Sequence, residues 1–320
     1  MKAEAQAQPN IALIKYWGKR DHDKNLPAVS SLSVTLDSLW TKMSVDFGAG
    51  VGSDTLLVNG APAPAMEQRV SHCIDLVAGT ERAAASIVSE GNFPIGAGLA
   101  SSASAFAALV VATAAACGKT YATQTLAQLA GTSSGSAARS LYGGIVTLIA
   151  GDENIDVQPL LDPHEWPLEV IVAVTEKGEK PVGSGAAMIR GEKTSPFYAS
   201  WVKRQDDDFR TAKDAVLSRD FERLATISEH NCLKMHSVMW SSRPPIVYWN
   251  SATLSCLETI RSLQSTGHAV FFTIDAGPQV KAVCLPESAA AVMDALKATP
   301  GVLSLLQTKL GAGAKLLTSE

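Results

Sequence analysis

Hydrophobic and polar positions alternate with a period of two in several short stretches of the first half. Residues 33–36 and 42–47 therefore read as strands with one buried face, and the unbroken apolar run at 10–14 as a short strand buried on both. Residues 55–58 run into Asn59-Gly60, a pair favoured in two-residue hairpin turns because both positions tolerate positive φ. Apolar residues recur at helical spacing over 65–77, and 84–89 returns to strand. A glycine-rich loop at 94–99 precedes an alanine-rich stretch at 101–117 that reads as one long helix. Helical segments at 121–130 and 136–141 and buried strands at 144–149 and 168–174 follow.

Helical spacing dominates the second half, at 183–190, 197–217, 220–235 and 250–263. Strands at 269–274 and 280–285 come next, then a helix at 287–298 and a glycine-containing tail. Strands and helices do not alternate strictly, which disfavours a doubly wound parallel sheet and indicates an α+β fold. The chain has 320 residues, and single cores stop growing at roughly 250–300. Two lobes are expected, spanning 1–178 and 179–320.

Composition narrows the function. The chain is 46% hydrophobic and 18% charged, with a net charge of −4 and no run of lysine or arginine. That is a soluble globular composition without the basic face a nucleic-acid partner requires. A pocket for a small anion needs only a few placed cations and stays open. Cys73, Cys117, Cys232, Cys256 and Cys284 are scattered and form no C-x-x-C, which argues against a disulfide framework or a zinc site and fits a reducing compartment. Residues 1–9 lack the apolar core of a signal peptide. The apolar stretch 105–117 is shorter than the roughly 20 residues that span a bilayer. A cytoplasmic protein with no membrane partner is expected.

Candidate chemistry centres on Pro94-Ile95-Gly96-Ala97-Gly98-Leu99-Ala100-Ser101-Ser102-Ala103. Glycines let a backbone approach an anion closely, and a helix N-terminus offers unpaired N–H groups and a positive dipole end. The same residues would equally make a plain helix cap, since serine caps well. No G-K-[ST] follows, so this is not a Walker A loop.

The wording P-x-x-x-G-L-x-S-S-A resembles the ATP loop of the GHMP kinase superfamily, and the fuller A-G-L-A-S-S-A-S that of its mevalonate diphosphate decarboxylase family. The resemblance covers nearly the whole chain in the family's order. It includes the string from Asn10 through Lys15-Tyr16-Trp17-Gly18-Lys19 to Asp21, then Ser30-Ser31-Leu32-Ser33, Ser134-Gly135-Ser136-Ala137-Ala138-Arg139, Thr194-Ser195-Pro196, Met235-His236, Pro244-Pro245 and Asp275-Ala276-Gly277-Pro278. It implies a two-lobed GHMP kinase fold, with an N-terminal ribosomal-S5-like lobe and a C-terminal ferredoxin-like lobe, and ATP and magnesium between them. It also implies a homodimer and ATP-dependent decarboxylation of 5-diphosphomevalonate. In that reaction Asp275 would act on the substrate's 3-hydroxyl, with Lys15 beside it, and Arg139 would meet the substrate carboxylate or diphosphate. Gly96, Ala97, Gly98, Leu99, Ala100, Ser101, Ser102 and Ser184 would hold ATP, with Ser102 reaching magnesium. Tyr16, Lys19, Arg69, Ser134, Gly135 and Ser136 would hold the substrate. From residue chemistry alone, Asp275 would more often cap a turn, Lys15 and Arg139 would more often be surface cations, and His236 reads as a core or pocket-lining residue.

The chain departs from the family pattern at Val29, usually Asn, at Gln279, usually Asn, and in 130–139 and 182–184. Changes in polar pocket residues shift specificity, so 5-phosphomevalonate decarboxylation and mevalonate 3-phosphorylation remain alternatives. The Lys15 string and the Asp275 turn disfavour a plain GHMP kinase. An inactive ligand-binding relative would be expected to have lost Asp275 or a loop serine, and neither is lost.

Overall fold

The computed structural model of the chain describes residues 1–93, 101–178 and 180–319. Its first sheet has six strands in the order Lys315–Ser319, Lys2–Ala7, Thr41–Asp46, Ser86–Gly91, Thr55–Val58, Ala61–Pro62. Neighbours are antiparallel except Thr55–Val58 and Ser86–Gly91, which run parallel and are joined through helix Pro64–Ala78. Asn59 and Gly60 sit at φ 49 and 82 in the turn between Thr55–Val58 and Ala61–Pro62, the conformation their pairing predicts. Helix Ser101–Ala116 lies on this sheet. It is apolar nearly all round and correspondingly buried, and its alanines let the strands Lys2–Ala7 and Thr41–Asp46 approach.

A second sheet, Ile155–Leu161, Ile145–Ala150, Ser31–Thr35, Asn10–Ile14, is wholly antiparallel. A third, Val270–Ile274, Val280–Cys284, Glu169–Val174, Ser304–Lys309, is antiparallel too. One apolar cluster joins them: Ile11, Leu13 and Ile14 meet Val170, Val172, Phe271 and Val283, with Phe209, Val216 and Leu224 from helices Tyr198–Ser218 and Phe221–Trp240. The two halves of the chain therefore share core beneath the end of strand Asn10–Ile14. Among the described residues no helix is long and apolar enough to cross a membrane.

Strand Glu169–Val174, the last strand of the first sequence half, hydrogen-bonds on both sides to strands of the second. Lys315–Ser319 returns to pair with Lys2–Ala7 in the first sheet. A continuous apolar run shows that a strand is buried but not which sheet receives it. Lys2–Ala7, Ile155–Leu161, Ser304–Lys309 and Lys315–Ser319 have no counterpart in the sequence expectations. Lys2–Ala7 shows why: its buried positions are alanines, which alternate correctly but carry little strand preference. The segment read as helical at 136–141 is a 3₁₀ turn, Ala137–Leu141.

Candidate active site

All five residues of strand Asn10–Ile14 are buried, and Lys15, which follows, is 1% exposed. An ammonium so placed needs a charged partner. Lys15 Nζ donates to Oδ1 of Asp275 at 2.6 Å, across 260 positions of sequence. Asp275 follows strand Val270–Ile274, and the Gly277 amide donates to its carbonyl at 2.7 Å, so a strand and a tight turn fix it from either side. Its other oxygen, Oδ2, lies 3.3 Å from Nζ of Lys281, whose side chain is completely buried. Burial alone would raise the Asp275 pKa. The charges of Lys15 and Lys281 outweigh it and hold the carboxyl well below the usual carboxylate range.

The backbone of Lys15 is held from the opposite side. Its amide donates to Asn231 Oδ1 at 2.8 Å and its carbonyl accepts from Gln205 Nε2 at 3.0 Å. Asn231 Nδ2 in turn donates to Gln205 Oε1 and Asp208 Oδ2, and Lys234 closes the chain on Asp208. Helices of the second half thus grip the strand end that presents Lys15.

Lys180 extends the cluster. Its Nζ donates to Ser184 Oγ at 2.6 Å and to the Ala276 carbonyl at 3.0 Å, which ties the first residue of helix Ser184–Thr194 to the Asp275 turn. Burial lowers the Lys180 pKa, against the attraction of Asp275.

Arg139, on the 3₁₀ turn, is 1% exposed and has no carboxylate within ion-pair distance among the described residues. Its Nη1 donates to Ser31 Oγ at 2.7 Å, its Nε to Ser33 Oγ at 3.0 Å, and its Nη2 to Asn10 Oδ1 at 3.2 Å. Burial pulls its pKa down to about 10, with Tyr16 and Asp275 opposing, so it remains a cation at neutral pH. The guanidinium stands 6.0 Å from the Tyr16 ring. Burial pushes the Tyr16 hydroxyl up to about 12. Gly135 is where the ring fits: a Cβ there would collide with the Tyr16 hydroxyl.

Arg69, on helix Pro64–Ala78, donates through Nε and Nη2 to the Ser133 carbonyl at 3.1 and 2.7 Å and lies over the Phe106 ring. Lys19 is close enough that, after burial, the charge of Arg69 lowers its pKa further. Two cations that repel each other describe a place where an anion is favoured. The Ser136 carbonyl accepts from Asn10 Nδ2 at 2.9 Å. Ser134 Oγ donates to Ser102 Oγ at 3.3 Å, in the first turn of helix Ser101–Ala116. Gly96, Ala97, Gly98, Leu99 and Ala100 lie outside the described residues. Beside the helix start is an apolar cavity bounded by Thr41, Met43, Phe93, Ser101, Ser102 and Phe106.

Among the described residues no three His, Cys, Asp or Glu side chains group as a metal site. The oxygens at the helix start are hydroxyls. Magnesium that arrives on phosphates takes only one or two protein oxygens, so this donor set fits a metal carried in by a nucleotide.

Neither single-residue departure from the family pattern makes a side-chain hydrogen bond to these polar groups. Val29 is 3% exposed in an apolar cluster with Trp17, Trp201, Met235 and Ala276. The Gln279 amide is spent on backbone, accepting from Thr175 N at 2.6 Å and donating to the Glu176 carbonyl at 2.8 Å. His236 is a core residue: fully buried against Trp249, with burial lowering its pKa to about 3.

Sequence reasoning passed over Lys281, Lys180 and the Arg139 partners Ser31, Ser33 and Asn10. A lone lysine inside the buried strand Val280–Cys284 was a readable signal. So was the alternation in strand Ser31–Thr35, which puts Ser31 and Ser33 on one face and Leu32 and Val34 on the other.

Residues 7–158 match the diphosphomevalonate decarboxylase-like N-terminal domain, and residues 170–310 the mevalonate 5-diphosphate decarboxylase C-terminal domain. The diphosphomevalonate decarboxylase of Candida albicans is 34% identical over 300 residues, covering 86% of this chain and 82% of its own length. That of Saccharomyces cerevisiae is 34% identical over 311 residues, covering 89% and 78%. Mevalonate diphosphate decarboxylase from Staphylococcus aureus superposes with a TM-score of 0.93 at 32% identity, over 99% of this chain and 98% of the other. A solved complex with MVAPP, AMPPCP and magnesium gives a TM-score of 0.92 at 33% identity, over 100% and 99%.

Proposed function

The chain belongs to the mevalonate 5-diphosphate decarboxylase family, and from that premise we infer how its residues divide the reaction. With ATP and magnesium it converts 5-diphosphomevalonate into isopentenyl diphosphate, carbon dioxide, ADP and phosphate. The observation that carries the assignment of residues is the Lys15–Asp275 ion pair beside Arg139, a buried cation without an acidic partner among the described residues.

Hydroxide is a poor leaving group, so the γ-phosphoryl group of ATP is first transferred to the 3-hydroxyl: the O–P bond forms as the bond from the γ-phosphorus to ADP breaks, and the hydroxyl proton passes to the phosphate oxygens. When the C1–C2 bond then breaks, its electron pair forms the C2=C3 double bond. Phosphate leaves C3 with the electrons of the C–O bond, and no electron-sink cofactor is needed. Asp275 receives the hydrogen bond of the 3-hydroxyl and aims its oxygen at ATP, a positioning task that suits a carboxylate fixed by strand and turn. Lys15 and Lys180 meet the charge of the transferred phosphoryl group, as preorganised cations do. Arg139 takes the substrate carboxylate, which is only two bonds from C3 and so must lie near Asp275.

Lys19, Arg69, Tyr16 and Ser136 face the diphosphate, and the repelling pair Lys19 and Arg69 is the reason for preferring diphosphate to monophosphate. Val29 contributes only apolar packing, in the cluster against which the Tyr16 ring rests, and the Gln279 amide is engaged by backbone, so neither departure removes a polar contact from Lys19, Arg69 or Ser136. The segment 96–100 with Ser101, Ser102 and Ser184 serves the ATP phosphates, and the apolar cavity beside the helix start accepts the flat base. Magnesium bound with ATP neutralises phosphate charge, and Ser102 is the hydroxyl assigned to it.

Arg69→Ala tests the diphosphate end. It is expected to raise KM for 5-diphosphomevalonate by about tenfold or more, the value of one lost charge-assisted contact, and to change KM for a monophosphate analogue much less. Equal effects on both substrates would show that Arg69 does not read the terminal phosphate.

A further inference from the structure

Asp275 is flanked by two buried ammoniums rather than one. Lys15 approaches Oδ1 from the end of strand Asn10–Ile14, and Lys281 approaches Oδ2 at 3.3 Å from strand Val280–Cys284. We propose that Lys281 is a positioning residue of the reaction: its charge, 3.3 Å from Oδ2, acts on one oxygen while Lys15 hydrogen-bonds the other, so that the carboxylate keeps one rotation and offers one fixed edge to the substrate's hydroxyl. The inference rests on the reading of the chain as a decarboxylase in which Asp275 orients that hydroxyl.

Three features carry it. Lys281 is 0% exposed, and a lysine is almost never buried so completely without a paired charge. Its ammonium lies within ion-pair distance of Asp275. Its strand places it beneath the Asp275 turn, because Val280 and Ala282, on either side of it, face the apolar cluster of Phe272, Ile274 and Val292 on the opposite face of the sheet. Lys281 therefore works on the carboxylate from behind, and any effect on substrate is transmitted through Asp275.

The arrangement also decides the protonation state. Among the described residues the ionisable groups around Asp275 are Lys15, Lys281, Lys180 and Arg139, together with Cys232 and His236 from helix Phe221–Trp240. Burial favours the neutral acid, but Lys15 and Lys281 outweigh it and keep Asp275 ionised far into acid. Removing a cation from beside a carboxylate raises its pKa, so in a Lys281 variant the ionised form is lost at higher pH as the medium is acidified.

The experiment compares Lys281→Met, which keeps length without charge, and Lys281→Arg, which keeps charge. Each is checked for native melting behaviour and followed by ADP and carbon dioxide release from 5-diphosphomevalonate over pH. The expected result for Lys281→Met is kcat lower by about tenfold or more, both KM values within about threefold of the wild type, and an acid limb displaced to higher pH. Lys281→Arg should keep the acid limb of the wild type. An acid limb unmoved in Lys281→Met, or kcat equal to that of the wild type, would overturn the proposal and leave Lys281 a space-filling residue. Should Lys281→Met fail to fold, Lys281→Gln is read by the same criteria. Wild-type protein that released no carbon dioxide would instead defeat the decarboxylase reading beneath the proposal.

Discussion

Asp275→Asn is expected to lower kcat by about 10²–10⁴-fold while ATP binding persists. The substitution keeps the shape of the side chain but removes its charge and turns one acceptor oxygen into an NH2 donor. The hydroxyl loses an anionic acceptor, and Lys15 and Lys281 lose the counter-charge they share. Breaking a buried ion pair by removing one partner costs about 3–5 kcal/mol. The Asp275 side chain is 24% exposed, which places this case toward the lower end. A depressed melting temperature should therefore accompany the lost activity, and the assay belongs well below it. Calorimetric titration with a non-hydrolysable ATP analogue checks that the nucleotide still binds. Turnover near that of the wild type would remove Asp275 from the mechanism.

Arg139→Lys is expected to lower kcat/KM for 5-diphosphomevalonate by about a hundredfold or more, although the charge is conserved. Guanidinium has five N–H donors. Ser31, Ser33 and Asn10 engage one donor on each of its three nitrogens, which leaves two, one on each terminal nitrogen, for a bidentate grip on a carboxylate. An ammonium on a shorter stem cannot hold the three protein oxygens and reach the substrate together. Steady-state kinetics with each substrate varied separately should place the loss on 5-diphosphomevalonate and leave KM for ATP nearly unchanged. Activity within about tenfold of the wild type would show that the fork geometry of Arg139 is not used.

Most of the site was legible in the chain because its residues sit in long strings that resemble one family. Lys15 and Asp275 are 260 positions apart, and no periodicity relates them. Only the resemblance of the string around Lys15 and of the turn at Asp275 placed them side by side. What the resemblance did not single out, local pattern obscured. Lys281 lies in a strand whose other residues are apolar, so the stretch reads as core. Ser31 and Ser33 alternate with Leu32 and Val34, and the apolar half of that pattern marked the strand while the hydroxyl half went unread as the cradle of Arg139. The strands Lys2–Ala7 and Lys315–Ser319 went unmarked for another reason. Each pairs with the other, and Lys2–Ala7 also with Thr41–Asp46, long-range contacts that residue preference at either end does not encode.

The most direct test offers purified protein ATP and magnesium with mevalonate, 5-phosphomevalonate or 5-diphosphomevalonate, recording ADP and carbon dioxide together. The account predicts equal release of both with 5-diphosphomevalonate and little of either with the other two. ADP without carbon dioxide would mean phosphorylation alone, and preference for 5-phosphomevalonate would contradict the assignment of Lys19 and Arg69 to a terminal phosphate.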